Sequence, residues 1–228
     1  MCRGEVPMSD DVKIEGALRE KLVRVKEMWA RDARLITGHI ADPARDRLPP
    51  GQTLVGDLPV LDLGIQPEVP LSAAALTLDG LVEEPATLTW AALQALPQEE
   101  RVHDIHCVTQ WSRFDCRWEG VPLPALLSLV KPKPEARFVV LHAHDGYTTN
   151  LPLSDLDRRE NLIAFLYGGR PLERRHGGPL RLVVPHLYFW KSPKWLKRIE
   201  FLAEDRPGFW EVRGYHMRGD PWREERYG

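Results

Sequence analysis

Cys107 ends the run Val102-His103-Asp104-Ile105-His106-Cys107, which is predicted to be a strand and delivers a thiol at its last position. A strand end is where a side chain can leave a sheet and enter a cleft. A thiolate there is a soft ligand for a transition metal, or a nucleophile if the local field is positive. An inert, half-buried cysteine is the plain structural alternative. His103, His106, Cys107 and Cys116 together offer the nitrogen and sulfur donors of a zinc site. Neighbouring strand residues point to opposite faces, however, which sets His106 against Cys107.

A second candidate lies in residues 170–198. Arg170, Arg174, Arg175, Arg181, Lys191, Lys194, Lys197 and Arg198 face a lone acid, Glu173, and are interleaved with His176, Gly177-Gly178, Tyr188, Trp190 and Trp195. A solvated basic face would account for the charge alone. Arginine forks, close backbone approach at glycine and flat aromatic walls in one stretch also make an anion pocket suited to a heterocycle bearing phosphate. A third segment, Asp145-Gly146-Tyr147-Thr148-Thr149-Asn150, reads as a polar hairpin turn.

These groups need a framework. Ile14, Leu18, Leu22, Val25 and Trp29 recur at three- and four-residue spacing, which predicts an amphipathic helix over residues 10–37, docked on its own domain or on a partner. Residues 40–70, with Pro43, Pro49, Pro50, Pro59, Pro67 and Pro70, predict an extended surface connector. Beyond it, strands are predicted over 75–81, 102–107, 137–142, 147–153, 180–185 and 196–202. Residues 162–167 are a strand or short helix, and short helices follow over 88–97, with Thr89 as N-cap, and 122–130. Strands outnumber helices and do not alternate with them, so the fold class is α+β: strand-rich mixed sheets with short helices, plus an N-terminal amphipathic helix. The expected division is a helical extension over residues 1–40 and one domain over 41–228.

Composition narrows the function. The 228 residues carry a formal charge of −2, which gives no bulk case for nucleic-acid binding, and no apolar run reaches the length of a membrane helix. The first eleven residues hold neither an apolar signal core nor a twin arginine, so a cytoplasmic chain is expected. Three cysteines cannot supply a four-thiolate metal site. One important thiolate remains possible.

In order, the motifs carry a resemblance. Cys-Val-x-x-Trp-Ser at residues 107–112, Trp-x-Gly-Val-Pro-Leu at 118–123 and Asp-Gly-Tyr-x-x-Asn-Leu-Pro-Leu at 145–153 come first. His-Gly-Gly-Pro-Leu-Arg-Leu-Val-Val-Pro at 176–185 and Lys-Ser-Pro-Lys-Trp-Leu at 191–196 follow. The set, spanning residues 71–201, resembles the sulfite-oxidase-fold molybdopterin oxidoreductases. The resemblance implies that Cys107 is the catalytic metal ligand, the one protein thiolate on molybdenum, with the pterin dithiolene supplying the other sulfurs. It implies pterin and phosphate contacts from His176 and Arg181, and a loop of Ser192, Pro193 and Lys194, with Lys191 nearby, at the anionic end of the molybdopterin.

The departures bear on substrate. Sulfite oxidases hold their dianion with arginines beside the metal cysteine and in an Arg-Asn-His motif before a Leu-Pro-Val stretch. Here Cys107 is followed by Val-Thr-Gln-Trp-Ser, and Leu58-Pro59-Val60 is preceded by Val55-Gly56-Asp57. The pattern is closer to the bacterial catalytic subunit that reduces methionine sulfoxide in periplasmic proteins, although that group's pterin-contacting threonine corresponds to Ala143. The expected activity is two-electron, oxygen-atom-transfer chemistry on a small or sulfoxide-like substrate. No haem or iron–sulfur motif is visible, so electrons are expected to pass to or from an external protein. The alternatives are a pterin-binding scaffold without turnover, assembling through the N-terminal helix as a homo-oligomer, or the mixed zinc site.

Overall fold

A computed structural model describes residues 10–31 and 47–228. The N-terminal helix α1 spans Asp10–Arg31, and the remainder of its expected span, like the expected domain division at residue 40, lies outside the described residues. The elements then run β1 (Thr53–Leu54), β2 (Ala75–Gly80), β3 (Ala86–Thr89), α2 (Trp90–Ala95), β4 (Glu99–His106), β5 (Trp111–Pro122) and α3 (Leu123–Val130). They continue with β6 (Phe138–Ala143), β7 (Thr148–Pro152), α4 (Leu153–Leu156), β8 (Leu162–Tyr167), β9 (Arg170–Pro171), β10 (Arg181–Val183) and β11 (Leu196–Leu202). Local chemistry explains several bounds. The Thr89 hydroxyl accepts from Ala92 N at 3.3 Å and starts α2. Lys131, left-handed at φ 51°, ends α3.

Two mixed sheets result. One has the order β3-β2-β11-β6-β7, with β2 and β11 parallel and the other pairs antiparallel. The other is built on β5, which pairs with β4 along one edge, with β1 at its start and with β8 at its end; β10 and β9 add to β8.

Within the second sheet β8 and β10 are buried on both faces, and their period-2 alternation sorts side chains between two cores. On β8, Ile163 and Phe165 enter the core shared with the other sheet, α2 and α3, whereas Leu162 and Ala164 face a second core. On β10, Leu182 joins the first core and Val183 the second. Arg181 is two residues from Val183, so the same alternation turns it to the second core. That core contains Cys107, Trp111, Trp118, Tyr188 and Trp190. The site forms there.

Two readings need correction. The strand β5 was not expected from the sequence, although Phe114, Cys116 and Trp118 alternate with Asp115, Arg117 and Glu119 in just the way its buried-exposed pattern shows. The connector is not a surface wrap: Val55, Leu58 and Leu63 are buried in the second core and make it a wall of the cavity.

Candidate active site

Cys107 is the first residue after β4, in a tight turn that reverses the chain into β5. Its N–H donates to Trp111 O at 2.9 Å, and Gln110 N donates to Cys107 O at 3.0 Å with Gln110 at φ 67°. The Gln52 side chain donates a second bond to Cys107 O at 3.0 Å, and Arg226 Nη1 donates to Val108 O at 2.6 Å. The turn is thus held from both ends of the domain. The thiol is buried, and burial raises its pKa; the Thr109 hydroxyl, which donates to Sγ at 3.2 Å, and the cations Lys26 and Arg226 oppose that rise. A metal cation would reverse it, because a coordinating thiol is deprotonated.

Cys107 lines a cavity of about 860 Å³, including its open mouth. The same cavity is lined by His176, Arg181, Ser192, Pro193 and Lys194, with Trp111, Phe189, Trp190, Trp195 and Trp210 contributing flat walls. The expected residues therefore meet in one place, apart from Lys191. Arg181 is 2% exposed, and its guanidinium donates to His176 O at 2.9 Å, Ser192 O at 2.7 Å and Leu182 O at 3.3 Å. It lies 4.2 Å from the Phe189 ring centroid and 5.4 Å from that of Trp118. Among the described residues no carboxylate pairs with it, and burial lowers its pKa to about 9. Beside it, burial and then the Arg181 charge lower Lys194 to about 7 and His176 to about 4. A buried arginine with no carboxylate in contact, flanked by a lysine and a histidine that an approaching anion would help to protonate, makes a receptor for an anion, although Asp62 and Asp145 also line the cavity. Trp111 Nε1, buried at the cavity wall, has no hydrogen-bond partner among the described residues and is a further donor. The donor set fits a pterin bearing a phosphate, with one thiolate for its metal.

The His-Gly-Gly-Pro motif has a geometric reason. Gly177 has φ 104°, and a Cβ there would sit 2.9 Å from Lys194 Cβ and 3.0 Å from its Cα; a Cβ on Gly178 would come within 2.0 Å of Leu172 O. The turn is pressed against the Lys194 backbone, and Trp195 N donates to Gly177 O at 3.3 Å. Gly177→Ala is expected to lower stability by about 1–3 kcal/mol through its left-handed conformation and the contact with Lys194, read as a drop in Tm.

Lys194 gives a pH test. Its amine is protonated increasingly as pH falls toward 7, and an anion binds the protonated form. Affinity of the cofactor-free chain for inorganic sulfate is expected to rise as pH falls to about 7 and to level off below it. Above pH 7 binding takes up a proton, which calorimetry in buffers of different ionisation enthalpy measures.

The structure does not bring Lys191 to the cavity. Its side chain is wholly buried and donates to Glu211 Oε1 at 2.6 Å, Asn150 Oδ1 at 2.9 Å, Asn150 O at 3.0 Å and Met217 O at 2.7 Å. Glu211 Oε1 also accepts from Thr149 Oγ1 at 2.8 Å and Trp190 Nε1 at 2.9 Å. Lys191 braces the wall from behind. Ser192 faces the cavity with its backbone; its hydroxyl accepts from Val184 N at 2.9 Å and pins the loop to β10. The zinc donors stand apart: His103 bonds Glu160 O, His106 bonds Ser112 Oγ at 2.7 Å, and Cys116 accepts from the Tyr167 hydroxyl at 3.8 Å. No three metal-ligating groups cluster among the described residues.

Sequence reasoning missed Lys26, Asp62, Trp210 and Tyr215, all of which line the cavity. Lys26 comes from α1, where Val23 is buried and Arg19, Leu22, Val25, Lys26 and Glu27 are half-buried, so the covered face takes in Leu22 and Val25 of the apolar stripe and Lys26 beside it. The helix packs on its own chain: Val23 is 2% exposed, and Arg19 Nη1 donates to Asp145 O at 3.3 Å. No helix among the described residues is long and apolar enough to cross a membrane.

Residues 64–210 match a family described as the oxidoreductase molybdopterin binding domain. The chain is 47% identical over 182 residues to the uncharacterized oxidoreductase YuiH of Bacillus subtilis, covering 79% of this chain and 92% of the relative. It is 33% identical over 153 residues to the protein-methionine-sulfoxide reductase catalytic subunit MsrP of Gluconobacter oxydans, covering 59% of this chain and 49% of that protein. Among solved structures it is similar to the sulfane dehydrogenase SoxCD of Paracoccus pantotrophus, with a TM-score of 0.55 and 24% identity over 61% of this chain and 40% of that one. That likeness supports the fold.

Proposed function

Because the chain belongs to the oxidoreductase molybdopterin binding domain family, we propose that Cys107 supplies the single protein thiolate to a molybdenum held by molybdopterin, and that this site performs two-electron oxygen-atom transfer on a sulfoxide-like or other small substrate. The observation that carries this reading is the placement of one thiol, Cys107, and one donor cluster, Arg181, Lys194 and His176, in the same cavity, with no carboxylate in ion-pair contact with Arg181 among the described residues. When bound, the cofactor supplies exchange of two electrons and an oxygen atom. The protein's part is position and electrostatics. Arg181 and Lys194 would hold the phosphate and the aromatic walls would pack the pterin, while Thr109 and the Gln52-braced turn fix the Cys107 sulfur.

The relatives named as methionine-sulfoxide reductases favour sulfoxide reduction over sulfite oxidation, and the cavity agrees. Where the sulfite oxidases have arginines beside the metal cysteine and before the Leu-Pro-Val stretch, this cavity has Val108 and Thr109, and Pro59, Leu61, Asp62 and Leu63 from the connector. In the reduction an S–O bond breaks, an external redox protein provides two electrons, and the oxygen leaves with two protons as water. The test is steady-state turnover of loaded protein, with a reduced dye and methyl aryl sulfoxides in one arm and with sulfite and ferricyanide in the other. Sulfoxide reduction is expected; strong sulfite oxidation without it would overturn the substrate reading.

A further inference from the structure

We propose that Lys26, carried into the cavity by α1, is the residue that recognises the oxygen atom of the substrate. The inference rests on the functional reading above and adds the group that selects the substrate. The described part of α1 is seated around the cavity mouth. Arg19 bonds Asp145 O and lies 5.1 Å from the Phe209 ring centroid, Glu20 pairs with Arg213 at 3.7 Å, and the Tyr227 hydroxyl donates to Glu27 O at 3.4 Å. Lys26 is the α1 residue that lines the cavity. Its amine donates to Asp62 O, a main-chain carbonyl, and among the described residues no carboxylate is within ion-pair distance. An ammonium has three N–H groups, so two are left for a ligand.

The place of that amine gives its partner. Lys26 and Cys107 line one cavity, and its connector side is made by Pro59, Leu61 and Leu63, with Asp62 between them and its carboxylate engaged by Gln66 Nε2 at 2.7 Å and Gly64 N at 2.9 Å. A cation with unused donors beside an apolar wall suits a strongly dipolar oxygen on an apolar carrier: an S-oxide or N-oxide with hydrocarbon substituents. A dianion would need more positive charge at this end, whereas Arg181 and His176 are committed to the anion cluster. Lys26 thus does with one charge on a helix what paired arginines do for a dianion.

The experiment uses the full chain, expressed in a molybdopterin-competent host, as wild type, Lys26→Met, Lys26→Gln and Lys26→Arg. Molybdenum and pterin content are expected to be unchanged. Affinity for methyl phenyl sulfoxide, read without reductant from the fluorescence of the cavity tryptophans, is expected to fall about 10- to 100-fold in Lys26→Met, the effect of a lost charge-assisted hydrogen bond. Affinity for methyl phenyl sulfide, which lacks the oxygen, should stay the same, and Lys26→Arg should recover most of the sulfoxide binding. Hydrogen exchange across α1 reports whether the helix is still docked; should Met release it, Lys26→Gln keeps a donor for Asp62 O and carries the comparison.

Equal weakening for sulfoxide and sulfide, unchanged sulfoxide affinity, or loss of molybdenum and pterin from the Lys26 variants alone would each overturn the inference. Wild-type protein without molybdenum would instead overturn the functional reading beneath it.

Discussion

Cys107→Ser is expected to reduce turnover more than about 100-fold and to strip the metal from most of the protein, while Cys116→Ser leaves both near wild type. Loss of a partner that merely orients a metal ligand costs about 10- to 100-fold in metal affinity or activity, and loss of the ligand itself exceeds that. The two cysteines differ by place. Cys107 lines the cavity, with Thr109 donating to its sulfur. Cys116 lies within β5, does not line the cavity, and burial pushes its thiol up to about 12, where it stays protonated. The cofactor-free Cys107→Ser chain should melt near the wild-type temperature, since the smaller hydroxyl borders a cavity and can still pair with Thr109. Metal analysis, turnover and thermal melts of the same preparations make the comparison.

Lys191→Met is expected to act on stability, and by more than any substitution lining the cavity. Removing one member of a buried, hydrogen-bonded ion pair leaves its partner charged in a low-dielectric interior, at a cost of about 3–5 kcal/mol. Both side chains are fully buried, and Glu211 also anchors Thr149 and Trp190. For a chain of this length the loss corresponds to a Tm lower by roughly 10 °C. Adding Glu211→Gln should restore most of it, because the amide keeps an acceptor for Thr149 and Trp190 while removing the stranded charge. Lys191→Met protein purified at low temperature should still bind the cofactor. A wild-type melting temperature combined with lost cofactor would place Lys191 in the cofactor site.

The contrast between Lys191 and Lys194 marks what the sequence could reveal. Both were expected at the anionic end of the cofactor, since both lie in one basic, aromatic loop. Only side-chain direction separates them, and the partner that claims Lys191 is Glu211, twenty residues on in a 3-10 turn over Glu211–Arg213. No local pattern encodes that pairing. Arg181 was more legible, because alternation along a strand buried on both faces settles which core it enters. Cys107 was legible for a similar reason: a thiol at the end of β4 must leave the sheet. The β11 bounds, residues 196–202, agree with the pattern of its apolar residues.

Lys26 stayed hidden because a lysine on an amphipathic helix reads as solvated, and its burial depends on how α1 crosses a cavity assembled from residues far along the chain. The connector was misread for a related reason. Prolines report irregular backbone, whereas the burial of Val55, Leu58 and Leu63 comes from tertiary packing that composition does not record.

One thiol, Cys107, and the donor cluster around Arg181 share a single cavity, and the proposed cofactor would need both. The most direct measurement is the molybdenum and pterin content of full-length wild-type protein purified from a molybdopterin-competent host, set beside Cys107→Ser prepared in parallel. About one molybdenum and one pterin per wild-type chain, with the metal lost from the variant, is expected. Wild-type protein free of both, or a variant retaining full molybdenum, would contradict the account.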